Sequence, residues 1–211
     1  MTAPQTRQAA ALAAALALVA GFCDGIAYVR WGAFAANQTG NTVLLGIAAY
    51  HGDATMIERS LGAIASLAVG ATIASLLRTR TSCVVPLSAE AATLAAASFV
   101  HGHAVQLDVI AFAMGLQNQA ITTFAGVKLN TSFVTGHYTQ IGVAIGDMLL
   151  GKDRDGAQRR LVILAALVVF YCGGGAAAAW SAARLEHALL LVVPIVLAIA
   201  YVARRTPGTV R

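Results

Sequence analysis

Residues 34–48 read FAANQTGNTVLLGIA and residues 129–146 read LNTSFVTGHYTQIGVAIG, so one polar phrase occurs twice in the chain. Each copy has an Asn/Thr cluster, then Thr-Gly, then Asn or His, and finally an apolar run that ends in Gly. Gly is flexible, and Asn and Thr form hydrogen bonds to local backbone, so the phrases are poor helix material. The repetition predicts two related halves, each with a helix break that is followed by a short helix.

The composition is typical of a polytopic membrane protein. Of the 211 residues, 58% are hydrophobic and 11% are charged, and the mean hydropathy is +0.74. A soluble domain carries about 25% charged residues. Because a helix needs roughly 20 apolar residues to cross the hydrocarbon core, the chain allows about six to eight crossings. Membrane topology then explains the net charge of +5 better than nucleic-acid binding does.

We predict an all-α polytopic membrane protein with a single domain over residues 1–211. Repeat one covers about 9–101, repeat two covers about 106–204, and residues 205–211 form a polar tail. The candidate spans are about 9–30, 57–78, 84–101, 106–127, 159–182 and 186–204. Two short helices, at about 40–50 and 135–150, follow the polar phrases.

The two halves can be aligned with a small drift in register. Gly21 matches Gly115 and Asp24 matches Asn118, both at an offset of 94 residues. The Thr-Gly pairs match at an offset of 96, and Arg59 matches Arg159 at 100. Weak internal symmetry of this kind marks many transporter folds. Chance similarity between alanine-rich helices is the alternative explanation.

The distribution of Lys and Arg favours six spans with both termini in the cytoplasm. In that topology 11 basic residues lie inside and 3 lie outside, whereas eight spans split them 9 to 5. The positive-inside rule prefers the first arrangement. The two short helices are then re-entrant or broken, and three crossings per half make the repeats inverted. Seven or eight spans are the alternative.

The two polar phrases are predicted to form the functional site. Thr39 and Thr135 are candidate N-caps of the short helices. A helix that begins in mid-membrane presents free N–H groups and a partial positive charge, which suits an anionic or neutral polar solute. Simple loops with good caps are the alternative. The predicted substrate-binding residues are Asp24, Asn37, Thr39, Gly40, Asn41, Gln117, Asn118, Thr135, Gly136, His137 and Gln140.

Two acidic residues lie within apolar runs. Asp24 is flanked by Phe22, Cys23 and Ile26, and a carboxyl group in such a position is a functional hypothesis by default. Asp24 could accept a proton, bind a cation or pair with Arg30, and a structural bond between helices is the alternative. Glu90 falls in the first turns after Pro86, so we expect it at the membrane interface.

Small residues predict close helix packing. Gly62, Ser66, Gly70 and Ala74 recur at every fourth position, and residues 173–183 read GGGAAAAWSAA. Such faces let helices approach closely within the chain, and a homodimer contact is the alternative use. The chain shows no catalytic triad, zinc cluster or dinucleotide fingerprint, so we predict no enzyme, no metal and no cofactor.

Three ordered motifs resemble a known family. The stretches GFCDGIAYVRWGAFAANQTGNTVLLG (21–46), GLQNQA (115–120) and VTGHYTQIG (134–142) resemble the YoaK family of bacterial membrane proteins, a domain family of unknown function. The resemblance covers nearly the whole chain. It implies location in the bacterial cytoplasmic (inner) membrane and brings neither a substrate nor catalytic residues.

These observations lead to two functional hypotheses. The first is a small transporter or channel whose polar or anionic solute passes between the two Thr-Gly half-helices, with Asp24 gating or coupling to protons. The second is a non-transporting membrane scaffold that assembles through its small-residue faces. The expected partners are the lipid bilayer, a small polar solute and a second copy of the chain, but not nucleic acid.

Overall fold

The structure, a computed structural model, describes residues 3–124, 127–128, 131–132 and 134–205. These residues contain eight α-helices, and a 3-10 helix at Ala188–Leu191 precedes the last of them. A two-residue antiparallel hairpin, β1 (Thr123–Phe124) and β2 (Val127–Lys128), lies before α6. The helices are α1 (Ala3–Trp31), α2 (Gln38–His51), α3 (Ala54–Arg78), α4 (Val84–Ala97), α5 (His103–Ala120), α6 (Val134–Leu149), α7 (Arg154–Ala182) and α8 (Val193–Arg205).

The architecture confirms the all-α polytopic membrane class. Within the described residues, four helical segments are long and apolar enough to cross a bilayer: Arg7–Trp31, Ala54–Arg78, Arg154–Ala182 and Ala188–Arg205. The apolar helix α4 has 14 residues, about 21 Å at 1.5 Å per residue, which is shorter than a hydrocarbon core of roughly 30 Å. Helix α5 has 18 residues but carries several polar side chains along its length.

Two predicted helix ends were wrong. Helix α4 ends at Ala97 rather than near 101, because the turn before α5 passes through Gly102, whose φ is +117°. Helix α5 ends at Ala120 rather than near 127, and Ile121 is already extended. The next residues, Thr122 and Thr123, are β-branched and favour strand geometry, which explains the hairpin.

Close glycine contacts set the packing of the long helices. An added Cβ on Gly21 of α1 would overlap the backbone of Tyr171 in α7, and one on Gly25 would meet Ala178. The contact that lies later in α1 also lies later in α7, so the two helices run parallel. The same arrangement holds for α3 and α5, where Gly62 adjoins Asp108 and Gly70 adjoins Gly115. The leading helix of each half therefore packs along the third helix of the other.

The leading helices of the two halves run in opposite directions. Arg59, near the start of α3, donates to the carbonyl of Trp31 at the end of α1 over 2.9 Å. Gln117, near the end of α5, donates to the carbonyl of Leu16 in the first part of α1 over 3.1 Å. Because α3 and α5 are parallel to each other, both contacts mean that α1 is antiparallel to the pair.

The two short helices begin inside the bundle and end at opposite sides of it. Helix α2 has 14 residues and α6 has 16, which correspond to about 21 Å and 24 Å. Helix α2 packs on α3 and ends near the start of that helix, whereas α6 packs on α7. An ion pair of 3.0 Å between Asp147 and Arg160 joins the end of α6 to the start of α7.

Candidate functional site

Asp24 holds the first polar phrase against the bundle. Its Oδ1 accepts the N–H groups of Ala36, at 2.6 Å, and Asn37, at 3.3 Å. Its Oδ2 accepts the hydroxyl of Tyr171 from α7. The residue is 4% exposed. Asp24 thus forms a structural bond between helices, which was one of the interpretations of its position in the sequence. A role for Asp24 in solute transport stays a prediction.

The proposed pairing of Asp24 with Arg30 was wrong. Arg30 lies about two turns further along α1, and its guanidinium donates to the carbonyls of Leu185 and Glu186 at 3.2 and 3.3 Å. It therefore ties the end of α1 to the segment after α7, away from the Asp24 carboxyl.

Asn37, rather than Thr39, is the N-cap of α2. The Asn37 side chain accepts the N–H of Gly40 at 3.2 Å, and the residue has the non-helical φ of −83° and ψ of 79°. Asn41 stabilises the same turn, because its amide accepts from the N–H of Phe34 at 2.8 Å and donates to the carbonyl of that residue at 2.7 Å. Thr39 is left in the first turn with its side chain exposed.

The second polar phrase is held in a related way by the end of α5. Asn118, which aligns with Asp24, accepts the hydroxyl of Ser132 at 2.7 Å. Gln117 donates to the hydroxyl of Thr131 at 3.0 Å as well as to α1. Because α6 already includes Val134, Thr135 lies within the helix and is not its N-cap. In both halves the polar residue of the leading helix binds the segment before the short helix, through backbone N–H groups in the first half and through side-chain hydroxyls in the second.

A cavity of about 250 Å³ lies where the two short helices begin. It brings both polar phrases together, although almost 100 residues separate them in the sequence. Four of the predicted binding residues line it, and they come from both halves: Asn37, Thr39, Asn118 and Thr135. The other residues of the wall are Ala36, Gln38, Leu67, Ser132, Val134 and Tyr171.

The remaining predicted binding residues lie outside the cavity wall. Asp24 and Gln117 are buried behind it and hold the phrases in place. Gly40 packs on the ring of Phe34, where an added Cβ would come within 2.8 Å of the ring. The others belong to the first turns of the short helices: Asn41 and His137 are buried, Gly136 is half-buried and Gln140 is exposed.

The cavity is neutral and rich in hydrogen-bonding groups. No Lys, Arg, Asp or Glu is among its ten lining residues. The N-termini of α2 and α6 both face this region, and helix N-termini carry partial positive charge. Such a lining can bind a neutral polar molecule or a small anion, and it offers a cation no charged ligand.

Six wall residues were not among the predicted binding residues, and two of these six, Leu67 and Tyr171, lie outside both polar phrases. Leu67 reaches the cavity wall from α3, and Tyr171 reaches it from α7. They are 104 residues apart, which is also the separation of Gly70 and Gly174, the glycines at the two tight helix crossings. An alignment anchored on those glycines, rather than on the polar phrases alone, would have paired Leu67 with Tyr171.

The family of proteins of unknown function called DUF1275 matches residues 12–202, a range that contains both halves and every residue of the cavity wall. The chain belongs to the DUF1275 family. No curated protein and no solved structure matches it. Membership of an uncharacterised domain family is thereby confirmed, and the resemblance to the YoaK family stays a prediction.

This DUF1275 protein shows no group of three His, Cys, Asp or Glu side chains that could hold a metal ion within its described residues. Its three cysteines are free there: Cys23 is buried, Cys83 is half-buried and Cys172 is exposed. The chemistry that the cavity offers is therefore recognition by hydroxyl, amide and backbone groups.

Proposed function

We propose that this DUF1275 protein is a small membrane transporter or channel, without enzymatic activity, for a polar or anionic solute. The solute passes through the cavity between the beginnings of α2 and α6. The observation that carries this proposal is that two separated polar phrases line one cavity at two helix N-termini. Helix termini at a repeat interface are a common place for substrates in transporters.

The two halves act in this proposal as inverted repeats, and α2 and α6 act as half-helices. Three observations support this: α1 runs antiparallel to α5, each leading helix packs along the third helix of the other half, and the short helices start at the cavity. Irregular backbone at membrane depth is tolerated where protein or a watery cavity covers it. Residues 32–37 and 131–132 meet that condition, since Asp24, Asn118 and Gln117 bind them.

The cavity limits the size and charge of the solute. A volume of about 250 Å³ lies below the roughly 300 Å³ at which pockets for drug-sized ligands begin. A water molecule takes about 30 Å³ of liquid volume, so a solute of a few heavy atoms with its water fits. The neutral wall and the helix N-termini favour neutral polar or anionic solutes over cations.

Transport can be tested before the substrate is identified. Proteoliposomes are exposed to osmotic gradients of urea, glycerol, potassium formate and potassium nitrate, with valinomycin present so that potassium balances the charge of the anions, and light scattering follows the volume change. Leu67→Trp should lower the protein-dependent rate at least tenfold, because the indole fills the cavity. Val69→Trp is the matched control, since Val69 lies on the same helix but is 52% exposed on its outer surface. Equal rates in the two variants, or no flux above protein-free liposomes for any probe, would contradict the proposal.

We propose a location in the bacterial inner membrane, with both termini cytoplasmic. The excess of Lys and Arg on the loops assigned to that side supports it. In a variant without the native cysteines, single cysteines that replace Arg30 and His51 should react with an impermeant maleimide from outside. Cysteines that replace Lys128 and Lys152 should react only from inside.

This labelling pattern is expected if α2 and α6 are half-helices that enter and leave the membrane on the same side. Helix α2 returns to the side on which α1 ended, and α6 returns to the side on which α5 ended. If each pair of cysteines instead labels from opposite sides, the short helices span the membrane and the two halves are parallel. Labelling of intact cells, with lysed cells as the reference for full reactivity, distinguishes the two outcomes.

The scaffold hypothesis and the homodimer stay predictions. The small-residue faces on which they were based are occupied within the chain, because Gly70 contacts α5 and Gly174 contacts α1. A scaffold or a dimer would therefore have to use another surface.

A further inference from the structure

Glu90 lies in the core of the bundle. It belongs to the face of α4 that also carries Leu87, Ala91 and Leu94, all of which are buried. The residue is 0% exposed, and neither carboxyl oxygen has a hydrogen-bond partner among the described residues. The sequence did not predict this burial, because nearness to Pro86 says where a helix begins but not which face of it is buried, and the position of Glu90 relative to the membrane interface stays a prediction.

Among the described residues, no cation forms an ion pair with Glu90. Helices α5 and α8 are the main helices packed against α4. Their described titratable side chains lie away from the middle of these contacts: Asp108 adjoins Gly62 of α3, while Tyr201, Arg204 and Arg205 are exposed in the last turns of α8.

The two buried carboxyls differ in how they are satisfied. Asp24 accepts from two backbone N–H groups and one hydroxyl, which can stabilise a carboxylate. Glu90 accepts from none of the described groups. An isolated carboxylate in an apolar core is so costly that the group neutralises instead. Ionisable residues buried in membrane proteins commonly belong to proton relays.

We propose that Glu90 is a proton-binding site, separate from the solute cavity, whose wall does not include it. The group holds a proton while α4 is packed in the core. It releases that proton only when its surroundings become polar. The site does not depend on transport, because the proton is bound whether or not a solute passes through the cavity.

Infrared spectroscopy of the purified protein in lipid nanodiscs at neutral pH tests this site. The wild-type protein should show the carbonyl stretch of a protonated carboxylic acid, and Glu90→Gln should remove that band. Glu186→Gln is the matched control, because the Glu186 side chain is exposed and its loss should leave the band intact. A wild-type spectrum that Glu90→Gln leaves unchanged in this region would overturn the proposal.

Folding of the variants provides a second and independent outcome. Glu90→Gln and Glu90→Leu should fold at least as well as the wild type, since each removes an acid that has no partner. As the pH rises above about 5, the wild type should lose thermal stability relative to Glu90→Gln, because its native state retains a proton that unfolding releases. Failure of both variants to fold would also overturn the proposal, since the carboxyl would then make a bond that the fold requires.

Discussion

Gly21→Ala and Gly115→Ala should each destabilise the protein by about 2 kcal/mol, within the roughly 1–3 kcal/mol that overpacking of a core usually costs. The methyl group would overlap the backbone of Tyr171 at Gly21 and that of Leu67 at Gly115. Backbone atoms cannot move aside as a flexible side chain can, so the helices must separate. The measurement is the unfolding temperature in detergent, with retention of monodisperse protein after heating as the readout.

The matched controls are Gly46→Ala and Gly142→Ala. Both glycines lie within short helices, in α2 and α6, and an added Cβ meets no atom within 4 Å. Ala in a helix interior is favoured over Gly by roughly 0.5–1 kcal/mol, so these variants should be unchanged or slightly more stable. A Gly21→Ala protein as stable as Gly46→Ala would show that α1 and α7 are not in close contact.

Asp24→Ala should have the largest effect on the site, a loss of about 3–5 kcal/mol of stability. The substitution leaves the N–H groups of Ala36 and Asn37 and the hydroxyl of Tyr171 without their acceptor. Each polar group buried without a partner costs about 1–3 kcal/mol. The cap of α2 should loosen as a result, because Asn37 is positioned by the same carboxyl. We expect a lower unfolding temperature and the loss of any flux that the wild type shows.

Asp53→Ala separates this effect from the loss of an ordinary cap. Asp53 is an exposed N-cap that accepts the N–H of Met56 at 3.0 Å, so its removal should cost about 1 kcal/mol. A double-mutant cycle of Asp24→Ala with Tyr171→Phe should reveal a coupling energy, since both changes remove the same hydrogen bond. Additive effects in that cycle, or equal losses for Asp24→Ala and Asp53→Ala, would contradict the proposed role of Asp24.

Local features of the fold could be predicted from the sequence. The short helices at Gln38–His51 and Val134–Leu149 begin and end within two residues of their predicted limits. Gly, Asn and Thr interrupt helices through their own backbone preferences, so a short window of sequence contains that information. The end of α5 was missed because β-branched residues in an apolar run fit a membrane helix and a strand equally well.

The contacts of the site depend on packing over long distances in the chain. Asp24 and Tyr171 are 147 residues apart, and no local pattern indicates that they meet. The choice of Asn37 over Thr39 as the cap has the same origin, since Asp24 holds the backbone that positions Asn37. The burial of Glu90 was not predicted because the orientation of a uniformly apolar helix such as α4 cannot be read from periodicity.

The hydrogen bond between Asp24 and Tyr171 has no symmetric counterpart. Asn118 aligns with Asp24 and Leu67 aligns with Tyr171, and a leucine side chain cannot donate a hydrogen bond. Two identical inverted halves that exchanged conformations would produce inward-open and outward-open states of equal energy. A hydrogen bond to a charged group is worth about 1.5–3 kcal/mol, and here only one half has it. A free-energy difference of about 1.4 kcal/mol changes an equilibrium constant tenfold. If the hydrogen bond breaks in only one of the two states, the populations of the two states should therefore differ by a factor of about 10 to 100. The cavity would then open at rest mainly towards one side of the membrane.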